Sequence, residues 1–195
     1  MSSIKPEVIS DSLQKYPIFD HIQLAYGEIT QIYVDCLVSP SGQKLQPTNS
    51  KILEIGGDRL KEAIEKIRSP EPGKPYATKG FSLKAFEVFS IITPTGLTKM
   101  ELFKADNSPT LKRLKDSLFS CYYNCLEKAV DHNHVSIAFP TLGIEKSGWP
   151  VEVAVEIAVS AVRHFREKTN SKILVIFCTD ELKTLVQFKS VLDLC

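Results

Sequence analysis

The sequence has no long apolar run. Its most apolar helical stretch, Val151 to Val162, is interrupted by Glu152 and Glu156. That stretch is too short and too charged to span a bilayer. The N-terminus, Met1-Ser2-Ser3-Ile4-Lys5-Pro6-Glu7, lacks the apolar centre of a secretory signal. A soluble, intracellular chain without membrane contact is therefore expected. Charge of one sign is also lacking: 24 Lys and Arg stand against 23 Asp and Glu, a net charge of +1. Nothing in that balance favours non-specific nucleic-acid binding. Cysteines are few and odd in number, five in all, at 36, 121, 125, 178 and 195, so no disulfide framework is expected. Cys36 and Cys178 lie in apolar runs as small buried hydrophobes. Cys121 and Cys125 are four apart on a helix, and no second Cys/His pair has the spacing for a closed zinc site.

What is present is an ordinary globular composition, 43% apolar and 24% charged, over 195 residues. Disorder is excluded, and one domain is the expected count. Residues 1–18 read as a polar N-terminal lead-in with a helical turn or two, and 19–195 as a single domain. The strand-like runs are Phe19–Tyr26, Val34–Val38, Phe86–Ile92, Val135–Phe139 and Ile173–Cys178. Ser39-Pro40-Ser41-Gly42 reads as a break after the second run. Leu60–Ile67, Pro109–Val130 and Val151–Phe165 have helical spacing, and a last helix runs to about Leu192 with Thr179 or Asp180 as its cap. The later alternation of strand and helix predicts a largely parallel sheet covered by helices on both faces.

In such sheets ligands bind beyond the carboxyl ends of the strands. Two loops there are rich in small residues: Ser39–Gly42 with Gly56-Gly57-Asp58, and Pro140 to Pro150, which leads into a helix. Outward-pointing amides and a helix N-terminus suit phosphate oxygens. The alternative is that Gly143 and Gly148 only permit turns. His132 and His134 flank Asn133, but a metal site needs further ligands and none is evident, so they read as part of a solvated loop. Trp149 reads chiefly as packing for the helix that follows it, with base stacking the lesser alternative. Lys112, Arg113 and Lys115 read as a solvated helix face. No G-x-S-x-G elbow places a nucleophile.

Four blocks in order resemble the macrodomain family of ADP-ribose-binding modules. They are Gly27-Glu28-Ile29-Thr30 with Val34-Asp35-Cys36-Leu37-Val38, then Thr78-Lys79-Gly80-Phe81-Ser82-Leu83, then Cys121 to Leu126, and finally Ile137 to Gly143 through Gly148-Trp149-Pro150. The family reads G-D-I-T, V-D-A-I-V-N-A-A-N, T-x-G-Y-x-L, C-Y-x-N-x-L and I-A-F-P-A-I-G-x-G-x-x-G-F-P there. The resemblance implies a three-layer α/β/α sandwich with a mixed central sheet and ADP-ribose, free or on protein, as ligand. It implies ligand contacts at Glu28, Ile29, Ser39, Ser41, Gly42, Gly56, Gly57, Thr141, Leu142, Gly143, Ile144, Glu145, Lys146, Ser147, Gly148 and Thr179, and no cofactor or metal.

The departures carry as much as the matches. Glu28 keeps a carboxylate for the adenine amine, one methylene longer than the usual Asp. The second Asn of N-A-A-N, which orients the distal ribose in de-ADP-ribosylating members, falls on Gly42. The acid of G-G-V-D falls on Lys61, and an ammonium cannot act as a general base. Asp58 is the only local substitute. Glu145 stands where the family has a glycine beside the diphosphate, and Ser147 where it has an aromatic.

No catalytic residues are therefore expected. The degenerate pattern is most similar to an internal macrodomain of the macrodomain-containing ADP-ribosyltransferases, the B-aggressive lymphoma protein group. That implies a module cut from a tandem array ahead of a transferase domain, ending at Cys195 just after the last helix. It implies nuclear and cytoplasmic work in DNA-damage and interferon responses, with partners in an ADP-ribosylation or ubiquitin complex. The expected function is a non-catalytic ADP-ribose or poly(ADP-ribose) reader. A protein-interaction scaffold is the alternative, and a hydrolase with rerouted catalytic groups the remote one.

Overall fold

The computed structural model describes residues 7–9 (backbone only), 21–42, 45–96, 108–144 and 148–193. Among these residues seven strands form one sheet: β1 Glu7–Ile9, β2 Ile22–Tyr26, β3 Val34–Ser41, β4 Tyr76–Lys79, β5 Ala85–Ile92, β6 Ser136–Pro140 and β7 Leu174–Thr179. Their spatial order is β1-β2-β7-β6-β3-β5-β4. The strands from β2 to β5 in that order are parallel, while β1 and β4 run antiparallel at the edges. The sheet is mixed, as expected. Among the described residues four α-helices cover it: α1 Ser50–Glu65, α2 Pro109–Asp131, α3 Val151–Thr169 and α4 Leu182–Asp193.

The period-two burial of the strands sorts side chains into two cores. Cys36, Val38, Phe89, Ile137, Phe139, Val175 and Phe177 face α2, α3 and α4. Leu37, Val88, Ala138, Ile176 and Cys178 face α1, through Ile52, Leu60 and Ile64. The result is the α/β/α sandwich implied by the resemblance. On α2 the 3.6-residue apolar stripe is buried at Leu111, Leu118, Cys121, Tyr122, Cys125, Leu126 and Ala129, while Leu114 is half-buried. Ser108 caps α2, its side chain accepting the Leu111 N–H at 3.1 Å, and Pro109 follows at the first turn. Ser108→Ala should lower stability by about 1 kcal/mol, read as a shift of the urea midpoint at unchanged slope.

Three expectations change. The lead-in contains a strand, β1, paired with β2; the rest of it, and with it the helical turn expected there, lies outside the described residues. The Ser39-Pro40-Ser41 break is the end of β3, which stays paired with β5 as far as Ser41. Pro40 is tolerated because the β6 pairing stops at Leu37. The Pro40 carbonyl accepts from the Thr48 amide at 2.9 Å and hydroxyl at 3.2 Å, so the side on which an N–H is missing has no ladder to complete. Finally, α1 begins at Ser50, ten residues before the apolar spacing becomes helical. Gly57, at φ 69° and ψ −169°, kinks it, which is why the Gly56-Gly57 pair hides the first half.

Candidate functional site

The carboxyl ends of the parallel strands open into a cleft of about 700 Å³ of empty space, counted out to solvent. Gly27, Glu28 and Ile29 follow β2; Pro40 ends β3, and Thr48 and Asn49 lead into α1. Thr93 follows β5, and Pro140, Thr141, Gly143 and Ile144 follow β6. Cys178 to Glu181 and Thr184 close the β7 side. The two loops singled out in the sequence therefore meet across one opening, because β3 and β6 are neighbours in the sheet.

Not every expected residue faces it. Glu28, Ile29, Thr141, Gly143, Ile144 and Thr179 line the cleft. Ser39 and Ser41 do not: both are buried, and the Ser41 hydroxyl donates to the Ser39 carbonyl at 3.1 Å. Pro40, Thr48 and Asn49 take their place. Gly42, Gly56 and Gly57 are absent from the lining, the last two held within α1. Leu142 is fully buried, and its amide donates inward to the Tyr122 hydroxyl at 2.8 Å rather than outward to the cleft. Gly148 is exposed at φ 73° and also lies off the lining. Glu145, Lys146 and Ser147 lie outside the described residues.

Gly143 has a reason of its own. Its φ is 90°, and a Cβ there would stand 2.6 Å from Trp149 Cδ1. A side chain at 143 would thus meet the tryptophan, not the phosphate position that the sequence suggested. Trp149 is core, 3% exposed, with its indole N–H donating to the Pro94 carbonyl at 3.2 Å and its amide to the Gly143 carbonyl at 2.9 Å.

Charge is distributed unevenly in the cleft. The carboxylates of Glu28, Asp180 and Glu181 gather on the β2–β7 side. Glu28 is ion-paired with Lys51 from the first turn of α1, and that hydrogen bond raises the lysine above its ordinary value. The described residues opposite, Pro40, Thr141, Gly143 and Ile144, are uncharged. Thr141 has its hydroxyl oxygen buried without a hydrogen-bond partner. Cys178 is not a poised nucleophile: burial, with Asp180 and Glu28 nearby, pushes its thiol up to about 12. Its Sγ donates to the Gly27 carbonyl at 3.3 Å. Asp58 and Lys61 are exposed on α1 and absent from the lining.

Sequence reasoning missed Asn49, whose side chain caps α1 by accepting the Lys51 amide at 3.0 Å, Asp180 beyond its capping role, and Glu181. Asx residues before a helix are a readable signal; the acidic pair became a site feature only through the pairing of β7 with β2. His132 and His134 also depart from expectation. They meet Glu87 of β5 at the other end of the sheet, and the His134 side chain is only 6% exposed.

A cleft at the carboxyl edge of a mixed sheet within an α/β/α sandwich defines an α/β ligand-binding module. The Macro domain family model matches residues 46–158. The chain belongs to the macro domain family. Among curated proteins it is similar to ganglioside-induced differentiation-associated protein 2 of Bos taurus, 29% identical over 163 residues, covering 80% of this chain and 30% of the relative. The Homo sapiens protein of that name is 27% identical over 161 residues, with the same coverage of 80% and 30%. The chain thus spans about 30% of the length of these relatives. Among solved structures, the macro domain of ganglioside-induced differentiation-associated protein 2 superposes with a TM-score of 0.79 at 25% identity, over 96% of this chain and 93% of that one. A Trypanosoma brucei macrodomain in complex with ADP-ribose gives a TM-score of 0.78 at 21% identity, over 90% and 71% of the two chains.

Proposed function

We propose that this macrodomain is a non-catalytic reader of ADP-ribose or poly(ADP-ribose), and a module of a larger ADP-ribosylation signalling protein. The observation that carries the reading is the convergence of Glu28, Ile29, Pro40, Thr141, Gly143 and Ile144 on one cleft. The Glu28 carboxylate can accept from an adenine amine, and the described lining residues opposite it, Thr141, Gly143 and Ile144, carry no charge to oppose a diphosphate. The orphaned Thr141 hydroxyl gives a ligand oxygen or hydroxyl something to satisfy. The Trypanosoma brucei structure of similar fold was solved with ADP-ribose.

The non-catalytic part rests on what the cleft lacks. Gly42 has no side-chain amide, and neither Asp58 nor Lys61 is in the lining. Cys178 is protonated at neutral pH, its thiol being pushed up to about 12. The cellular setting proposed with this reading is nuclear and cytoplasmic, in DNA-damage and interferon responses, with partners in an ADP-ribosylation or ubiquitin complex. It rests on the resemblance to the B-aggressive lymphoma group.

Calorimetry with ADP-ribose and its oligomers tests the binding. Heat is expected for the native chain, and Glu28→Ala should weaken it about tenfold, the worth of one charge-assisted hydrogen bond. Silence at high ligand concentration rejects the reader and leaves the scaffold. Release of ADP-ribose from a modified protein rejects the non-catalytic assignment.

A further inference from the structure

At the amino-terminal ends of the parallel strands, away from the cleft, a second set of side chains converges. α2 ends at Asp131 and His132 caps it. Asn133 then takes φ 60°, a left-handed turn that asparagine tolerates. The turn brings His134 back beside His132, with ring centroids 5.8 Å apart. Glu87 reaches up from β5 between them. Its Oε2 lies 2.7 Å from His132 Nδ1 and 2.8 Å from His134 Nε2. The three donor atoms are all within 4.8 Å of one another.

We propose that Glu87, His132 and His134 form a binding site for a divalent transition-metal ion, with zinc the best match. Two imidazoles and one carboxylate are the donor set that suits zinc, whereas magnesium and calcium demand shells of oxygen. Three protein ligands leave a fourth position for water. Around a tetrahedral ion with bonds of about 2.0–2.2 Å, donors stand about 3.3 Å apart. Glu87 Oε2 must therefore draw back by roughly half an ångström from each nitrogen. His132 can absorb that movement: it sits at a helix end with its side chain 33% exposed, and that exposure is also the ion's route in. With both rings neutral, an N–H that faces Glu87 moves to the opposite ring nitrogen when the ion binds, and the exchange neither gains nor loses a proton.

The rest of the site is held in place. The Val135 and Ser136 amides donate to Asp35 Oδ2 at 2.7 and 3.1 Å, and the Ser136 hydroxyl accepts from the Asp35 amide at 2.9 Å. These bonds tie the segment carrying His134 to β3, the support that a metal ligand needs. Phe86 and Phe89 wall the cluster with their rings, 6.1 Å from His134 and 5.7 Å from His132. Lys128, with Nζ 5.9 Å from the Phe89 ring centroid, is a positive charge that the ion must tolerate.

The test needs no nucleotide and is independent of the cleft. Chain stripped with a chelator is melted with zinc alone. A rise of about 5 °C is expected at a hundredfold excess over the dissociation constant. Glu87→Gln, nearly the same in shape, and His132→Ala, at the exposed ligand, should each weaken zinc at least about 100-fold and abolish the rise. Their metal-free melting curves and circular dichroism report whether they fold. Cobalt should give the visible bands of a four-coordinate nitrogen and oxygen site. No zinc effect on the native chain overturns the proposal, as does an effect that survives in both variants. A cobalt spectrum with thiolate charge transfer also overturns it, by placing the ion on a buried cysteine.

Discussion

Gly143→Ala is expected to melt about 10 °C lower than the native chain and to lose ADP-ribose heat in the same preparation. Two costs add. Position 143 sits at φ 90°, where an L side chain is strained, and residues held in such regions cost about 1–3 kcal/mol. The new methyl would also stand 2.6 Å from Trp149 Cδ1. The tryptophan has little room to swing aside, since its indole N–H is bonded to Pro94 and the Gly96 backbone lies so close that a Cβ there would stand 2.5 Å from the same ring. Together these amount to about 3 kcal/mol, and in a chain of this size each kcal/mol moves the melting point by about 2–4 °C. Binding falls with stability because Gly143 and Ile144 line the cleft. Gly148→Ala is the control. Its φ is 73° but open space surrounds its Cβ position, so only about 1–2 kcal/mol of backbone strain is expected. Equal losses at both positions would remove Trp149 from the explanation.

Tyr122→Phe should cost about 2 kcal/mol, although it deletes a single oxygen. Tyr122 is fully buried on α2, packed at 5.2 Å from Phe139 and 6.3 Å from Phe177. Its hydroxyl accepts the Leu142 amide at 2.8 Å, and burial pushes its ionisation far above the ordinary tyrosine value. It is a permanent neutral acceptor. Without it the Leu142 N–H is stranded in the core, and an unsatisfied buried donor costs about 1–3 kcal/mol. Urea denaturation reads the loss directly. Calorimetry reads the second consequence: the loop from Thr141 to Ile144 loses its anchor, and ligand affinity drops with it. An unchanged urea midpoint would mean that the amide has found another partner, and the anchoring role would fall.

The fold was largely legible because its signals are local. The strands β2, β5, β6 and β7 and the helices α2, α3 and α4 follow from apolar period and caps, each read within one segment. The elements that escaped are those whose partner lies elsewhere. β1 is three residues long, too short to show a period, and is a strand by virtue of pairing with β2. β4 lacks a buried face and is ordered by β5. The end of β3 looked like a turn because Pro40 was read without knowing that β6 stops short of it. For the site, the family pattern brought out Glu28, Ile29, Thr141, Gly143, Ile144 and Thr179, all of which reach the cleft. It also brought out Ser39, Ser41 and Leu142, which turn inward, because a motif specifies residue types and not the direction of their side chains or amides.

By itself, the amino-acid sequence determined the class of the sheet, the sandwich of helices around it, the family, and the presence of Gly42 and Lys61 where the family pattern has an Asn and an acid. Those follow from residue identity and short-range spacing. Tertiary structure alone decided that Lys51 holds Glu28, that Tyr122 takes the Leu142 amide, and that Glu87 joins His132 and His134 from 45 and 47 residues away. Contacts of a few ångströms between distant segments depend on how strands are ordered in the sheet, and that order is not written in any one segment.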